Sequence, residues 1–313
     1  MLTQRVATCA LFTLLVPALC QRPPAAKKAP AIPTTEQMKA RVPSGVRFVP
    51  EIAYRERCAA CTLDLSLPDR PSSAPRPALV VVHGGGWRGG DKRAGVFAQL
   101  PFEYAQHGYV SISINYRFAA EGSIATCVED AKCAVRWLRA HAKEYNVDPR
   151  RIGGFGNSAG AHLVAMLGLA GKQAGLEGDG PYQDQSSMLD AVCAAATPTD
   201  FGNWGARGDT GTVSKILGGD QATAAARARL LSPVTYAHAT APPFLLIHGN
   251  ADKTVPFSQA DSLIKALRAA GAKRATLLIV DGAEHGAFTS ASPMTRGAMM
   301  AFFDSTIGPE AGR

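Results

Sequence analysis

The stretch "RIGGFGNSAGAHLVAMLGLAG", residues 151–171, decides how this chain is interpreted, because it contains two overlapping motifs. Residues 156–160, GNSAG, fit Gly-x-Ser-x-Gly, the sharp turn that exposes a serine hydroxyl. Residues 154–159, GFGNSA, fit Gly-x-Gly-x-x-Ala, a dinucleotide-binding fingerprint. Both motifs follow a short predicted strand and open a predicted helix, so the local context does not distinguish them.

The surrounding sequence alternates predicted strands and helices. Runs such as PALVVVH (77–83) and YVSISINY (109–116) are nearly all apolar, which is typical of strands buried on both faces. The predicted strands are 46–54, 61–67, 77–83, 109–116, 151–156, 189–197, 242–249 and 275–282. The predicted helices are 92–106, 124–145, 158–170, 257–271 and 293–306. This alternation predicts an α/β fold with a mostly parallel eight-stranded sheet flanked by helices.

Chemically useful residues stand where predicted strands end. A glycine run, 84–86, follows strand 77–83; Asp252 follows strand 242–249; and His285 lies just past strand 275–282. In open parallel sheets, ligands bind beyond the carboxyl ends of the strands. Together with Ser158, these residues give the chain order Ser, Asp, His.

The dinucleotide interpretation accounts for less of the sequence. It requires an acidic residue about twenty residues further on, at the end of the next strand. Glu177 and Asp179 are near that distance, but they lie in the predicted loop GLEGDGPYQDQ. This interpretation also leaves the glycine run, Asp252 and His285 unexplained, so we predict that Ser158 is a nucleophile.

The predicted roles follow from serine chemistry. A serine hydroxyl needs a neighbouring base, which His285 supplies, and Asp252 fixes the imidazole tautomer. The developing oxyanion needs backbone N–H donors. We predict that these come from Gly85, Gly86 and Ala159, the last at a helix N-terminus.

Other residues compete for these roles. Asp200, after strand 189–197, is an alternative acid, whereas Asp281 and Glu284 are too close to His285 in sequence to orient its ring easily.

The other histidines have less specific predicted roles. His83 and His248, at strand ends, are predicted to hold the loops that follow them, and His162, in the helix after Ser158, is predicted to pack in the core. Surface positions at helix ends are predicted for His107 and His141.

Composition restricts the class of protein. The chain has 313 residues, of which 46% are hydrophobic and 19% are charged, so it is globular. No internal repeat is visible, and we predict one catalytic domain over residues 46–313. The net charge of +8 is scattered, with no Lys/Arg block interleaved with aromatic residues, so no nucleic-acid binding is predicted.

The N-terminal region differs from the rest. Residues 1–20 place one Arg before an apolar run, which is typical of a signal peptide and too short for a convincing membrane span. Cleavage near Cys20 and Gln21 is favoured. A lipoprotein with an acylated Cys20 is the less favoured alternative. Residues 21–45 are rich in Pro, Ala and Lys and are predicted to be a linker. The expected location is the periplasm or the cell exterior, without stable membrane insertion.

The chain has seven cysteines, two of them within residues 1–20. The odd number left in an exported protein implies at least one unpaired thiol. Cys58 and Cys61 resemble half of a zinc site or a redox motif, but no second close pair follows, and the next residues form a strand rather than a helix. We therefore expect a local disulfide or two ordinary thiols, with no metal and no cofactor.

From about residue 47 to 306 the chain resembles the α/β-hydrolase carboxylesterases, especially the bifunctional feruloyl and acetyl-xylan esterase type. The stretches that carry the resemblance include LDLSLP, VVVHGGGWRGGDK, SINYRF, GFGNSAGAHLVAMLG, FLLIHGNADKTVP and VDGAEHGAF. The resemblance implies that Ser158, Asp252 and His285 form a triad and that the amides of HGGGW form an oxyanion hole. The hormone-sensitive-lipase group shares HGGG but more often has Asp where this chain has Asn157.

The expected function is that of a secreted serine carboxylesterase. Two insertions, 171–188 and 201–230, carry Tyr182, Phe201 and Trp204, which could flank an acyl or aromatic group or could pack on the domain. Trp87 likewise could line the acyl pocket or could pack beside the glycine run. Neither insertion suits a large lid, so short-chain or aromatic esters, free or linked to polysaccharide, are favoured. The alternatives are a formamidase or aminopeptidase-type hydrolase and a non-catalytic binding protein.

Overall fold

The computed structural model describes residues 31–121, 123–204, 217 and 223–309. The predicted signal peptide, 1–20, lies outside the described residues, and so do residues 21–30 of the predicted linker. Within the predicted insertion 201–230, residues 205–216 and 218–222 are also outside them.

Within the described residues, eight strands form one sheet. They are β1 (Val46–Ala53), β2 (Thr62–Pro68), β3 (Arg76–Val82), β4 (Val110–Ile114), β5 (Val147–Asn157), β6 (Ala191–Ala195), β7 (Phe244–Gly249) and β8 (Ala275–Val280). Their order is β1-β2-β4-β3-β5-β6-β7-β8. Strand β2 runs antiparallel to both β1 and β4, and every pairing from β4 to β8 is parallel. The predicted sheet is confirmed.

Helices cover both faces of this sheet. They are α1 (Thr35–Lys39), α2 (Leu100–Gln106), α3 (Ile124–Ala140), α4 (Ala159–Leu169), α5 (Ala224–Leu231), α6 (Ser258–Ala269), α7 (Ala287–Ser290) and α8 (Met294–Thr306). The predicted helix 92–106 is shorter than expected: a 3₁₀ turn, Gly95–Ala98, precedes α2. Among the described residues, none of the helices combines the length and apolar character needed to cross a bilayer.

The core consists of two apolar layers, one on each side of the sheet. On β3, Leu79 and Val81 join one layer, whereas Val80 and Val82 join the other, and all four are fully buried. All residues of α4 are buried. A helix that is apolar all round belongs in a protein interior. The start of α4, which carries the candidate serine turn, is therefore held firmly against the centre of the sheet.

The structure differs from the predicted linker at its C-terminal end. Thr34 caps α1 through a reciprocal pair of hydrogen bonds with Gln37. Met38 is 2% exposed and packs in a small apolar cluster with Val46 and Phe102. Composition did not reveal this segment, because one apolar side chain anchors it to a partner far along the chain.

Candidate active site

Ser158 occupies a strained turn between β5 and α4. Its backbone has φ +56° and ψ −121°, a conformation that non-glycine residues rarely adopt. The flanking glycines permit the turn: a Cβ at Gly156 would lie 2.2 Å from the Gly160 carbonyl oxygen, and a Cβ at Gly160 would lie 2.1 Å from that of Val82. The close backbone approach expected at both glycines is confirmed, and it leaves the Ser158 side chain at the carboxyl edge of the sheet.

The structure brings the three side chains predicted from the sequence together. The Nε2 atom of His285 lies 3.0 Å from Ser158 Oγ, and its Nδ1 atom lies 2.8 Å from Asp252 Oδ2. The ionised carboxylate only accepts hydrogen bonds, so Nδ1 carries the ring proton and the Nε2 lone pair faces the hydroxyl. This arrangement can remove a proton from Ser158.

The Asp252 side chain is fully buried yet is held in its ionised form. Its Oδ1 accepts the backbone N–H groups of Thr254 and Val255 at 2.8 and 2.9 Å. The Nε2 atom of His248 lies 3.4 Å from Oδ2. Burial alone would raise the pKa of Asp252, but hydrogen bonds from His248, His285 and Val255 outweigh it and hold that pKa below its usual range.

The alternative carboxylates are engaged elsewhere. Asp200 accepts two backbone N–H groups of its own loop, each at 3.0 Å. Asp281 accepts the side-chain amide of Asn250 at 2.7 Å, and Glu284 faces Lys253 at 3.7 Å. The carboxylate after β7 is therefore the one that orients the imidazole.

The predicted oxyanion donors border the serine turn. Gly85 and Gly86 are exposed and have φ values of +121° and +61°. A Cβ on the preceding Gly84 would lie 2.7 Å from the Asn157 carbonyl oxygen, so this loop passes directly against the serine turn. Ala159 is the first residue of α4. Backbone amides from two chain segments thus approach the same site.

The glycine loop is anchored by buried charges that the sequence analysis missed. Arg93 donates to both carboxylate oxygens of Asp64 on β2, at 2.5 and 2.9 Å, and both side chains are nearly inaccessible. The backbone N–H of Lys92 donates to Asn115 at 2.7 Å. The sequence contains the run GGDK and the Asn after β4. It does not show that these residues pair across the strands.

The three aromatic residues predicted to contact substrate form one aromatic cluster, in which Trp87 meets Phe201 edge-on and Phe201 stacks on Trp204. Trp87 and Phe201 are 3% and 5% exposed, with ring centres 5.7 Å apart, and Trp204 lies parallel to Phe201 at 5.9 Å. The Trp87 indole N–H donates to His162 Nδ1 at 3.3 Å. Trp87 and Phe201 therefore pack beside the glycine loop, and Trp204 is the half-buried end of the aromatic cluster.

Segment 171–188 packs on α3. The Tyr182 ring lies 5.5 Å from that of His141, just past the C-terminal end of the helix. Glu177 binds the buried side chains of Lys132 and Arg136 at 2.8 and 2.6 Å. The packing alternative left open by the sequence is the one that the structure shows for this segment.

Other histidines make hydrogen bonds to backbone carbonyl groups. His83 contacts the Gly84 carbonyl at 2.7 Å and stacks on Tyr116, and His248 donates to the Val255 carbonyl at 3.0 Å. His107 and His141 lie at the C-terminal ends of α2 and α3. The packing and loop-holding roles expected for His83 and His248 and the exposed position expected for His107 are confirmed. His141 is instead half-buried and stacks on Trp137.

Cys58 and Cys61 form a disulfide in the turn between β1 and β2. Their sulfur atoms lie near the carboxylate of Asp130. Both sulfurs are bonded to each other, and Asp130 accepts three hydrogen bonds from Arg117. This group, found within the described part of the chain, has no free donor set for a metal ion.

Family comparisons agree with this geometry. The model of the BD-FAE family matches residues 63–267, and that of a family described as TAP-like protein matches residues 224–313. The esterase LipQ of Mycobacterium tuberculosis is 29% identical over 90% of this chain and 71% of its own length. The probable carboxylic ester hydrolase LipM of the same organism is 31% identical over 70% of this chain, which spans about half of LipM, 51%.

Solved structures show the same likeness. A truncated carbohydrate esterase from gut microbiota superposes with a TM-score of 0.75 at 29% identity, covering 83% of this chain and 95% of that one. Apo esterase 2 of Thermogutta terrifontis gives a TM-score of 0.69 at 28% identity, covering 84% and 93%. The chain therefore belongs to the BD-FAE family and is a serine ester hydrolase of the α/β-hydrolase fold, of the feruloyl and acetyl esterase type.

Proposed function

We propose that this protein is an exported carboxylesterase that hydrolyses short-chain acyl and aromatic esters, including acetyl and feruloyl esters, through Ser158, His285 and Asp252. The observation that carries the proposal is the continuous hydrogen-bond chain from Ser158 Oγ to His285 Nε2, at 3.0 Å, and from His285 Nδ1 to Asp252 Oδ2, at 2.8 Å. Nucleophile, base and orienting acid are thus all within hydrogen-bond reach.

Acylation begins when Ser158 Oγ attacks the ester carbonyl carbon and its proton passes to His285 Nε2. The carbonyl π electrons move to oxygen, which becomes an oxyanion. When the intermediate collapses, the bond to the alcohol oxygen breaks and the imidazolium returns the proton to that oxygen. The alcohol leaves, and the acyl group stays on Ser158.

Deacylation repeats these steps with water. His285 Nε2 accepts a proton from water as its oxygen attacks the acyl carbon, and the same proton then returns to Ser158 Oγ. The carboxylic acid is released. Throughout both halves, the Asp252 carboxylate stabilises the imidazolium without itself becoming protonated.

The oxyanion is stabilised by the backbone N–H groups of Gly85, Gly86 and Ala159. Bare glycine backbone allows the loop to approach the reacting carbon closely, and the amide of Ala159 adds the positive end of a helix. Losing one such donor costs about 10²–10³-fold in kcat in serine hydrolases.

The aromatic cluster supports the proposed substrate class. Trp204, the half-buried end of the Trp87–Phe201–Trp204 cluster, offers an apolar face for an acetyl, butyryl or feruloyl group. One structural neighbour is described as a carbohydrate esterase. Esters carried on a soluble carbohydrate therefore fit the proposal better than long-chain triglycerides.

Two features support export. The N-terminal twenty residues have the composition of a signal peptide, and Cys58 and Cys61 form a disulfide, which persists in oxidising compartments. Expression of the full chain in a Gram-negative host should yield mature protein in the periplasm, with a new N-terminus near Gln21. Full-length protein confined to the cytoplasm would contradict this part of the proposal.

The central test is hydrolysis of p-nitrophenyl acetate, butyrate, octanoate and decanoate by the protein without residues 1–20. The acetate and butyrate should react fastest, and Ser158→Ala should lower kcat by at least about 10⁴-fold while the protein stays folded. Acetylated xylan and methyl ferulate are the next substrates. Equal activity of wild type and Ser158→Ala would overturn the mechanism, and inactivity of both on every ester would overturn the function.

A further inference from the structure

The proposed oxyanion donors come from two separate parts of the chain. Gly85 and Gly86 belong to the loop after β3, whereas Ala159 belongs to α4. Donors must lie within about 0.5 Å of their productive positions to stabilise a transition state. Some group must therefore fix the glycine loop relative to α4.

His162 makes contacts to both parts. It lies one helical turn beyond Ser158, and its backbone N–H donates to the Ser158 carbonyl at 3.0 Å. Its Nδ1 accepts the indole N–H of Trp87, the residue after Gly86, at 3.3 Å. Its Nε2 lies 2.7 Å from the Leu231 carbonyl oxygen at the end of α5. One side chain thus joins the glycine loop, α4 and the C-terminal end of α5.

The two side-chain bonds require a single protonation state. A carbonyl oxygen only accepts and an indole N–H only donates, so Nε2 must carry the proton and Nδ1 must be bare. The ring is fully buried, and this burial lowers the pKa of His162 to about 4. At neutral pH the imidazole is therefore uncharged and makes both bonds at once.

The backbone on both sides of this link is strained. Trp87 has φ +58° and Ser158 has φ +56°, left-handed values that cost energy for residues with side chains. Such conformations persist only where surrounding contacts determine them. At Trp87 these contacts are the bond to His162 and the bond from the Ala119 N–H to the Trp87 carbonyl, at 2.7 Å.

We propose that His162 is a positioning residue: through Trp87 it sets the distance between the amides of Gly85 and Gly86 and the amide of Ala159. This inference rests on the proposed function. It differs from a purely structural role for His162, because loosening the link should weaken binding of the oxyanion more than binding of the substrate.

The experiment compares Trp87→Phe, His162→Gln, His162→Leu and the Trp87→Phe/His162→Leu double variant on p-nitrophenyl acetate. An alkyl trifluoromethyl ketone forms a hemiketal whose oxygen mimics the oxyanion. Its inhibition constant therefore reports directly on the oxyanion hole. Trp87→Phe keeps the ring packing but removes the N–H, and we expect roughly a 10-fold fall in kcat with KM within twofold. The affinity for the ketone inhibitor should fall by the same factor as kcat/KM.

The remaining variants test the link itself. His162→Gln keeps one donor and one acceptor and should retain more activity than His162→Leu, and the double variant should be no worse than His162→Leu alone. Trp137→Phe, which alters a comparably buried indole on α3, is the matched control and should leave kcat unchanged. If His162→Leu does not fold, Trp87→Phe and His162→Gln still provide the comparison.

Some outcomes would overturn the inference. Wild-type kcat and inhibitor affinity in folded Trp87→Phe, a change confined to KM, or losses that multiply in the double variant would each show that the two residues do not act as one link. A wild type inactive on every ester would overturn the proposed function and this inference with it. An active wild type with unaffected variants overturns this inference alone.

Discussion

A buried carboxylate usually resists ionisation, yet Asp252 is surrounded by donors. Loop amides hold Oδ1, and His285 holds Oδ2, so the charge is dispersed and its direction is fixed. These protein donors orient Oδ2 towards the imidazole while the side chain is buried away from solvent. Replacing the carboxylate by an amide would keep the shape, remove the negative charge and place an N–H donor against the ring nitrogen.

We therefore expect Asp252→Asn to lower kcat by about 10⁴-fold with little change in KM, because an amide N–H facing Nδ1 favours the wrong imidazole tautomer. Steady-state kinetics on p-nitrophenyl acetate measure this. Asp200→Asn is the matched control: an asparagine oxygen can still accept the two loop amides, so activity should stay within tenfold of wild type. Comparable losses in both variants would contradict the assignment of Asp252.

His162 should also make stability depend on pH. Its pKa is about 4 in the folded protein against an ordinary value of 6.5, so the unfolded chain binds more protons between these values. Stability therefore falls as the pH drops from 6.5 towards 4, and the contribution between pH 7 and pH 5 is about 2 kcal/mol. Urea unfolding of wild type and His162→Gln at both pH values should show a smaller loss in the variant; an identical loss would contradict the prediction.

Residue types at strand ends were enough to find most of the site. Ser158, His285 and the glycine run each follow a predicted strand, and the parallel sheet brings those ends together. This reasoning favoured Asp252 and left Asp200 as an alternative acid, because both residues follow strands. Only the direction of each side chain, towards His285 or into its own loop, distinguishes them.

At the scale of elements, the turn between β5 and α4 depends on the absence of a side chain at Gly160. A methyl group there would lie 2.1 Å from the Val82 carbonyl oxygen and 2.6 Å from that of His83. Alanine is favoured over glycine in helices by about 1 kcal/mol, but forcing atoms into a packed core costs about 1–3 kcal/mol and moves the backbone.

We expect Gly160→Ala to destabilise the protein by roughly 2 kcal/mol and to lower kcat by at least about 100-fold, because the displaced turn moves Ser158 away from His285. Gly297 in α8 is the control, since nothing lies within 4 Å of a Cβ built there. Gly297→Ala should stabilise the protein by about 0.5–1 kcal/mol without affecting activity. Denaturant unfolding and kinetics on both variants test the difference.

The elements found from the sequence were those with a strong pattern. All eight strands were expected, and the long helices α3, α4, α6 and α8 were expected near their observed bounds. The short helices α1, α5 and α7 were missed, because four to eight residues carry too few turns to show a period. The antiparallel direction of β2 was also not predicted, since pairing direction depends on partners distant in the chain.

At the scale of the whole molecule, the chemistry lies where the two core layers meet the carboxyl edge of the sheet. The fully buried α4 fixes the serine, and the Asp64–Arg93 pair anchors the glycine loop to β2. Strand alternation predicted the layers, whereas the buried charge pair and the packed α1 depend on contacts between residues far apart in sequence. These contacts extend the folded body beyond the boundary expected at residue 46.

The folded body should therefore include α1. Removing residues 1–45 rather than 1–30 deletes Met38, which is 2% exposed, and we expect a loss of about 2–4 kcal/mol in the free energy of unfolding. Met38→Ala in the longer form should reproduce most of this loss. Ile32→Ala is the control, because Ile32 is 51% exposed and should contribute little. Equal stability of the two shortened forms, measured by denaturant unfolding, would instead place the start of the folded domain at residue 46, as composition alone predicts.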